Sequence, residues 1–152
     1  MSNKFGVIIQ VRMGSQRFYG KSIKQIGKLP ILVRIIRSIK KNIFFKSTKI
    51  IVATTKLRDD DKIEELVKNE RIKIFRGSEK NVLERYYQSA EANRLKHILR
   101  LTSDNPFVHI NFLTKLIQLH LINRNDYTSS KLGLPIGLGA EVMTINALKK
   151  SY

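Results

Sequence analysis

Apolar residues recur along this chain at two periods, and the two periods alternate. The run 5–11, Phe-Gly-Val-Ile-Ile-Gln-Val, is apolar and rich in branched side chains, which predicts a buried strand. From Leu29 to Lys41 the apolar positions shift to helical spacing, with Pro30 suited to a first turn. Residues 48–54 return to a strand pattern. Residues 59–68 predict a second helix, opened by Asp59, Asp60 and Asp61, acids that suit the positive end of a helix. Residues 71–75 alternate as a strand, and 78–93 have helical spacing with Ser78 or Asn81 as the cap. A fourth strand is predicted over 97–101, a fourth helix over 111–123 and a short strand over 126–129. A loop rich in Gly and Pro follows over 131–139, and another helix begins at Thr144.

Strands alternating with helices predict βαβ units and a mainly parallel sheet. No internal repeat, low-complexity tract or linker interrupts the pattern, so 1–152 reads as one domain. The last helical pattern starts close to the final residue. A doubly wound sheet ordinarily continues beyond such a point, so the expectation is either a minimal version of the fold or a C-terminally shortened one.

Candidate chemistry gathers where strands end. The first strand runs straight into Arg12-Met-Gly-Ser-Gln-Arg17-Phe-Tyr-Gly-Lys21. Gly14 and Gly20 let backbone approach a ligand, while Arg12, Arg17 and Lys21 supply charge for phosphate, with Ser15 between them. The segment is neither a Walker loop nor a dinucleotide fingerprint, and a solvated turn would read much the same. After the fourth strand comes Thr102-Ser-Asp104-Asn-Pro106. Mg²⁺ takes one or two carboxylates plus substrate phosphates, which makes Asp104 a candidate ligand beside the plainer role of turn cap. The late loop delivers one acid, Glu141, as a second metal ligand, a substrate contact or a solvated loop end. Arg76-Gly77-Ser78-Glu79 offers backbone N–H groups entering a helix. His97, His109 and His120 have no metal-ligand spacing and read as structural.

Composition narrows the classes. The 152 residues suffice for a buried core. No run approaches the roughly 18 apolar residues of a membrane span, and the N-terminal apolar stretch is too short for a secretory signal. The lack of cysteine excludes disulfides, thiolate metal sites and a cysteine nucleophile, and fits the cytoplasm. Twenty-nine Lys and Arg against 12 Asp and Glu give a net charge of +17. Lys40-Lys41 and Lys149-Lys150 are the only adjacent lysines, and no basic run carries interleaved aromatics, which argues against a nucleic-acid surface. A field this positive draws in anionic substrates such as nucleotides and sugar acids.

Taken in order, the basic glycine loop, Ala53-Thr54-Thr55, Phe75-Arg-Gly-Ser-Glu with Val82-Leu-Glu-Arg-Tyr-Tyr, and Leu101-Thr-Ser-Asp-Asn-Pro resemble the cytidylyltransferase family of CMP-sugar synthetases. The likeness is strongest to the spore-coat polysaccharide type F proteins and the CMP-KDO and acylneuraminate synthetases. Gln10-Val-Arg-Met-Gly-Ser lies close to the family's Gln-Ala-Arg-Met-Gly-Ser. The resemblance implies a Rossmann-like, three-layer α/β/α nucleotidyltransferase domain that binds CTP with Mg²⁺. It implies transfer of CMP to a sugar or sugar acid, with loss of pyrophosphate, in surface-polysaccharide synthesis, and a homodimer. By position, Arg12, Gly14, Ser15, Arg17 and Lys21 match the triphosphate loop, with Arg12, Lys21 and Asp104 in the catalytic set. Ala53, Thr54 and Ser78 match nucleotide-binding segments, and Asp104 matches the metal-binding acid, with Glu141 as its companion. The family usually has Arg-Leu-Pro-Gly-Lys where this chain has Arg17-Phe-Tyr19-Gly-Lys21, and loss of that proline predicts a looser loop. Gly139 stands where an aspartate is common. The alternative reading is a nucleotide-binding subunit of the same fold with impaired turnover.

Overall fold

The computed structural model describes residues 4–14, 18–130 and 139–151. Ser15 and Arg17 therefore lie outside the described residues, as does most of the late Gly/Pro loop. Six strands form the main sheet: β1 (Phe5–Gln10), β4 (Lys49–Thr55), β5 (Lys73–Gly77), β6 (His97–Thr102), β7 (Tyr127–Ser129) and β8 (Glu141–Thr144). Two further short strands, β2 (Gln25–Ile26) and β3 (Leu29–Pro30), pair with each other. The main sheet has the order β5-β4-β1-β6-β8-β7. The first four of these are parallel, and β8 pairs antiparallel with both β6 and β7.

The helices are α1 (Ile31–Lys41), α2 (Asp61–Asn69), α3 (Val82–Ala92), α4 (Ile110–Ile122) and α5 (Ile145–Ser151). Alternation along each strand sorts the core into two. Val7, Ile9, Val52, Leu99 and Val142 pack with α1, α2 and α4. Ile8, Ile51, Ile98 and Met143 point to the other face, against Tyr86 and Ala90 of α3 and Leu148 of α5. Central strands buried on both faces are continuously apolar, which is why β1 and β4 read so plainly from sequence.

Two elements differ from expectation. Leu29 and Pro30 form β3 rather than the first helical turn, and Pro30 caps α1 with ψ 146°. The chain from Glu141 is a strand, β8, rather than the end of a loop. Four residues are too few to show a period, and β8 is stabilised by partners distant in sequence, with Arg100 facing Glu141 across the ladder. Of the two caps considered for α3, Asn81 is the one: its side chain accepts the Glu84 N–H at 3.0 Å.

Candidate functional site

Strands β1, β4, β5 and β6 run in one direction, so the loops that leave them share one edge of the sheet. Because β8 runs the opposite way, Glu141 at its start lies toward that same edge. The β1 and β6 loops are stitched to their neighbours at the rim. Val11 N donates to the Ala53 carbonyl at 3.1 Å, and Ser103 N donates to the Gln10 carbonyl at 3.0 Å. A ligand crevice at the carboxyl ends of parallel strands is the usual outcome of this architecture.

The basic glycine loop is anchored by a residue that the sequence had suggested only as a helix charge. Asp60 is 1% exposed. Its carboxylate accepts the Met13 N–H at 2.8 Å, the Thr54 hydroxyl at 2.8 Å, and both the N–H and hydroxyl of Thr55 at 3.0 and 2.5 Å. Burial disfavours its charge, yet these donors prevail and hold its carboxyl below the ordinary carboxylate range. The side chain thus joins the start of the loop to the end of β4. Tyr19, at the position where proline was missed, ties the far side of the loop: its hydroxyl donates to Asp59 at 2.9 Å. Gly20 closes the turn with φ +66° and donates to the Met13 carbonyl at 2.9 Å, a conformation that favours glycine.

The loop then meets the end of β6. Ser22 and Ser103 share a buried hydrogen bond of 2.6 Å. Lys21 Nζ stands 3.9 Å from Asp104 Oδ2, both side chains being substantially exposed, at 40% and 55%. Such an open pair contributes little to stability, so both groups remain available to a ligand. Arg12 and Gly14 are exposed on the same loop, and open space surrounds Gly14. Ala53 and Thr54 are wholly buried, the first with its carbonyl in the β1 stitch and the second with its hydroxyl on Asp60. Ser78 is half-buried, and its hydroxyl accepts the Asn81 N–H at 3.1 Å.

Glu141 is placed differently from its expected loop end. It is 5% exposed in β8, and its carboxylate takes a close ion pair from Arg100. Arg100 also stacks over the Tyr86 ring at 5.3 Å. Burial pushes the Tyr86 phenol up to about 12, and its hydroxyl donates to the Leu101 carbonyl at 3.1 Å. Among the described residues no three acids or histidines gather into a cation cage. Asp104 is nonetheless a solvent-facing carboxylate beside a cationic loop. That donor set fits Mg²⁺, which completes its shell with phosphate oxygens and water.

Arg76 closes the third loop. Its guanidinium donates to the carbonyls of Thr55 and Leu57, at 2.9 and 2.6 Å, and to Asp61 and Glu64 at 2.6 and 3.0 Å. This arginine is therefore a brace between β5, the β4 turn and α2.

Residues 6–152 match the model of the family described as Cytidylyltransferase. The chain is 36% identical to the spore coat polysaccharide biosynthesis protein SpsF of Bacillus subtilis, over 93% of this chain and 59% of that protein. It superposes on a cytidylyltransferase from Leptospira borgpetersenii serovar Hardjo-bovis with a TM-score of 0.90 and 32% identity, covering 97% of this chain and 63% of that one. A CMP:2-keto-3-deoxy-manno-octonic acid synthetase complexed with CTP shares the fold, with a TM-score of 0.78 at 14% identity, over 97% of this chain and 77% of that one. The chain spans about three fifths of the length of the curated relatives it matches.

Proposed function

This chain belongs to the cytidylyltransferase family, and from that premise we propose that it transfers CMP from CTP to a sugar or sugar acid, releasing pyrophosphate. The observation that carries the reading is the meeting of Lys21, on the anchored glycine loop, with the exposed Asp104 at the end of β6. In-line displacement at phosphorus needs positioned charge rather than a covalent residue. Arg12 and Lys21 supply cations to the phosphate chain, with Ser15 and Arg17 assigned to the same loop by position. The Gly14 backbone admits a close ligand. Ala53, Thr54 and Ser78 line the segments assigned to the nucleoside. Asp104 would hold Mg²⁺, which neutralises phosphate charge when bound. Glu141 enters the proposal through Arg100, which its carboxylate engages.

The acceptor is a sugar hydroxyl in surface-polysaccharide synthesis, a reading supported by the likeness to SpsF. A homodimer and a cytoplasmic location belong to the same proposal. No helix among the described residues is long and apolar enough to cross a membrane.

The test is melting of the purified chain with CTP, UTP, GTP or ATP, each with and without Mg²⁺. A ligand at 100 times its Kd adds about 2.7 kcal/mol, which is plainly visible as a Tm shift. The expected result is a CTP-selective shift enlarged by Mg²⁺, with the enlargement lost in Asp104→Ala. Equal shifts with all four nucleotides, or none, would overturn the assignment.

A further inference from the structure

Arg85, in the first turn of α3, is wholly buried. Its Nη1 donates to the Ser78 carbonyl at 2.5 Å, while Nε and Nη2 have no hydrogen-bond partner among the described residues. No carboxylate forms an ion pair with it among the described residues. Asp60 favours its charge without touching it, since the Asp60 hydrogen bonds go to Met13, Thr54 and Thr55. The charge of Arg12, the exposed cation of the glycine loop, opposes that of Arg85. The loop that leaves β1 with Arg12 and the turn after β5 that Arg85 holds share one edge of the sheet, so two guanidinium groups serve that edge. An arginine keeps its proton even when burial lowers its pKa. A buried guanidinium with two unsatisfied nitrogens and no carboxylate in contact is unfavourable, so its presence calls for a function.

Gly77 fits this arrangement. A Cβ there would stand 2.8 Å from the Phe75 ring and 3.2 Å from Arg85 Cγ. The missing side chain makes the room through which the Arg85 stem passes under the Gly77–Ser78 turn.

We propose that Arg85 is a positioning residue whose buried charge serves as the counter-charge for the phosphate chain of a nucleoside polyphosphate, while its Ser78 bond fixes the turn that receives the nucleotide. The inference rests on the cytidylyltransferase reading and deepens it. It separates two roles that a helix residue can have. A packing role supports every ligand of the crevice equally. A charge role supports each ligand according to its phosphate charge, and it leaves the empty protein strained.

The experiment titrates CTP, CDP and CMP calorimetrically into the wild-type chain, Arg85→Met and Arg85→Lys, and records the melting of each ligand-free protein. Arg85→Met should weaken CTP on the order of tenfold, CDP less and CMP least, as expected for a charge acting through a partly shielded interior. Its ligand-free Tm should equal or exceed that of the wild type, because an unpaired buried cation has been replaced by an apolar side chain. Arg85→Lys should restore the charge-graded preference. Equal weakening of all three nucleotides, or a ligand-free Met variant that melts well below wild type, would reduce Arg85 to a packing residue. If the wild-type chain binds none of the three, the cytidylyltransferase reading itself falls; if it binds them and only the charge grading is missing, the Arg85 inference falls alone.

Discussion

At the scale of single residues, the site depends on Asp60 more than on any cation. Four donors converge on one buried carboxylate, two of them side-chain hydroxyls and two backbone N–H groups from separate strand-end loops. Asp60→Asn keeps the shape but turns one acceptor oxygen into a donor that faces other donors. Hydrogen bonds to a charged group are each worth about 1.5–3 kcal/mol, so a loss of about 3 kcal/mol in unfolding free energy is expected at pH 7. The sign with pH follows from the depressed carboxyl. The folded protein binds this proton less tightly than the unfolded chain, so the stabilisation is complete above the ordinary carboxylate pKa of about 4. It is lost as pH falls through the lower, folded value. Urea midpoints for wild type and Asp60→Asn should therefore converge as pH falls below the ordinary carboxylate pKa of about 4; a gap that stays constant would show that the anchor does not act through its charge. The sequence showed the residue but not its task. A run of three acids before a helix has a sufficient local explanation, and only the turn after β4 brings the middle one back to face Thr54 and Thr55 at the strand end. Tyr19 is similar: in the sequence it marks a missing proline, and in the fold its hydroxyl on Asp59 provides a restraint of another kind.

At the scale of elements, what was legible followed from how local the signal is. Strands β1, β4 and β6 are buried on both faces and read as apolar runs, and their order alone placed Asp104 and Lys21 at one edge. β8 was not legible, because its pairing with β6 and β7 is made across long stretches of chain. Nor was the polar cluster that joins those elements. The His97 and His120 rings meet at 3.1 Å, and His120 reaches the Thr128 hydroxyl at 3.0 Å, which also receives Asn125 Nδ2 at 3.1 Å. Residues on β6, α4, β7 and the turn before it share this cluster, so it holds the antiparallel end of the sheet to α4. Burial lowers both imidazole pKa values. Lys96 adds to the effect at His97 and His97 adds to it at His120, where Asp126 opposes. The native state thus binds these protons less tightly than the unfolded chain, whose histidines titrate near pH 6.5. Stability is complete above that value and falls as pH drops through it toward the folded pKa values. Wild-type Tm should decline between pH 7 and pH 5.5, and the decline should shrink in a His97→Gln, His120→Gln double variant. An unchanged decline would mean that other groups carry it.

At the scale of the whole molecule, the fold gathers charge that the sequence scatters. Lys40, Lys46, Lys49, Arg71 and Lys73 come from three separate stretches, yet they line one cavity of about 280 Å³ over Phe45, Ile50 and Ile72. None of its described lining residues is acidic. It opens at the starts of β4 and β5, whereas the loops of the candidate site leave from the ends of the parallel strands. The seven residues of β4 put the two about 20 Å apart at strand rise. Like charges held this way oppose compaction, and a net charge of +17 extends the opposition over the whole surface. The same field favours an incoming triphosphate. Salt should therefore act with opposite signs on folding and on binding. Raising NaCl from about 0.02 M to about 0.3 M shortens the Debye length from roughly 20 Å to roughly 6 Å. Over that range the ligand-free Tm should rise by a few degrees, on the order of 1 kcal/mol of relieved repulsion, while CTP affinity should fall. A Tm that falls with salt would mean that the ion pairs, such as Arg37 with Glu70 and Arg76 with Asp61, outweigh the repulsion. An affinity indifferent to salt would mean that only contacts within the crevice, and not the field of the molecule, hold the phosphates.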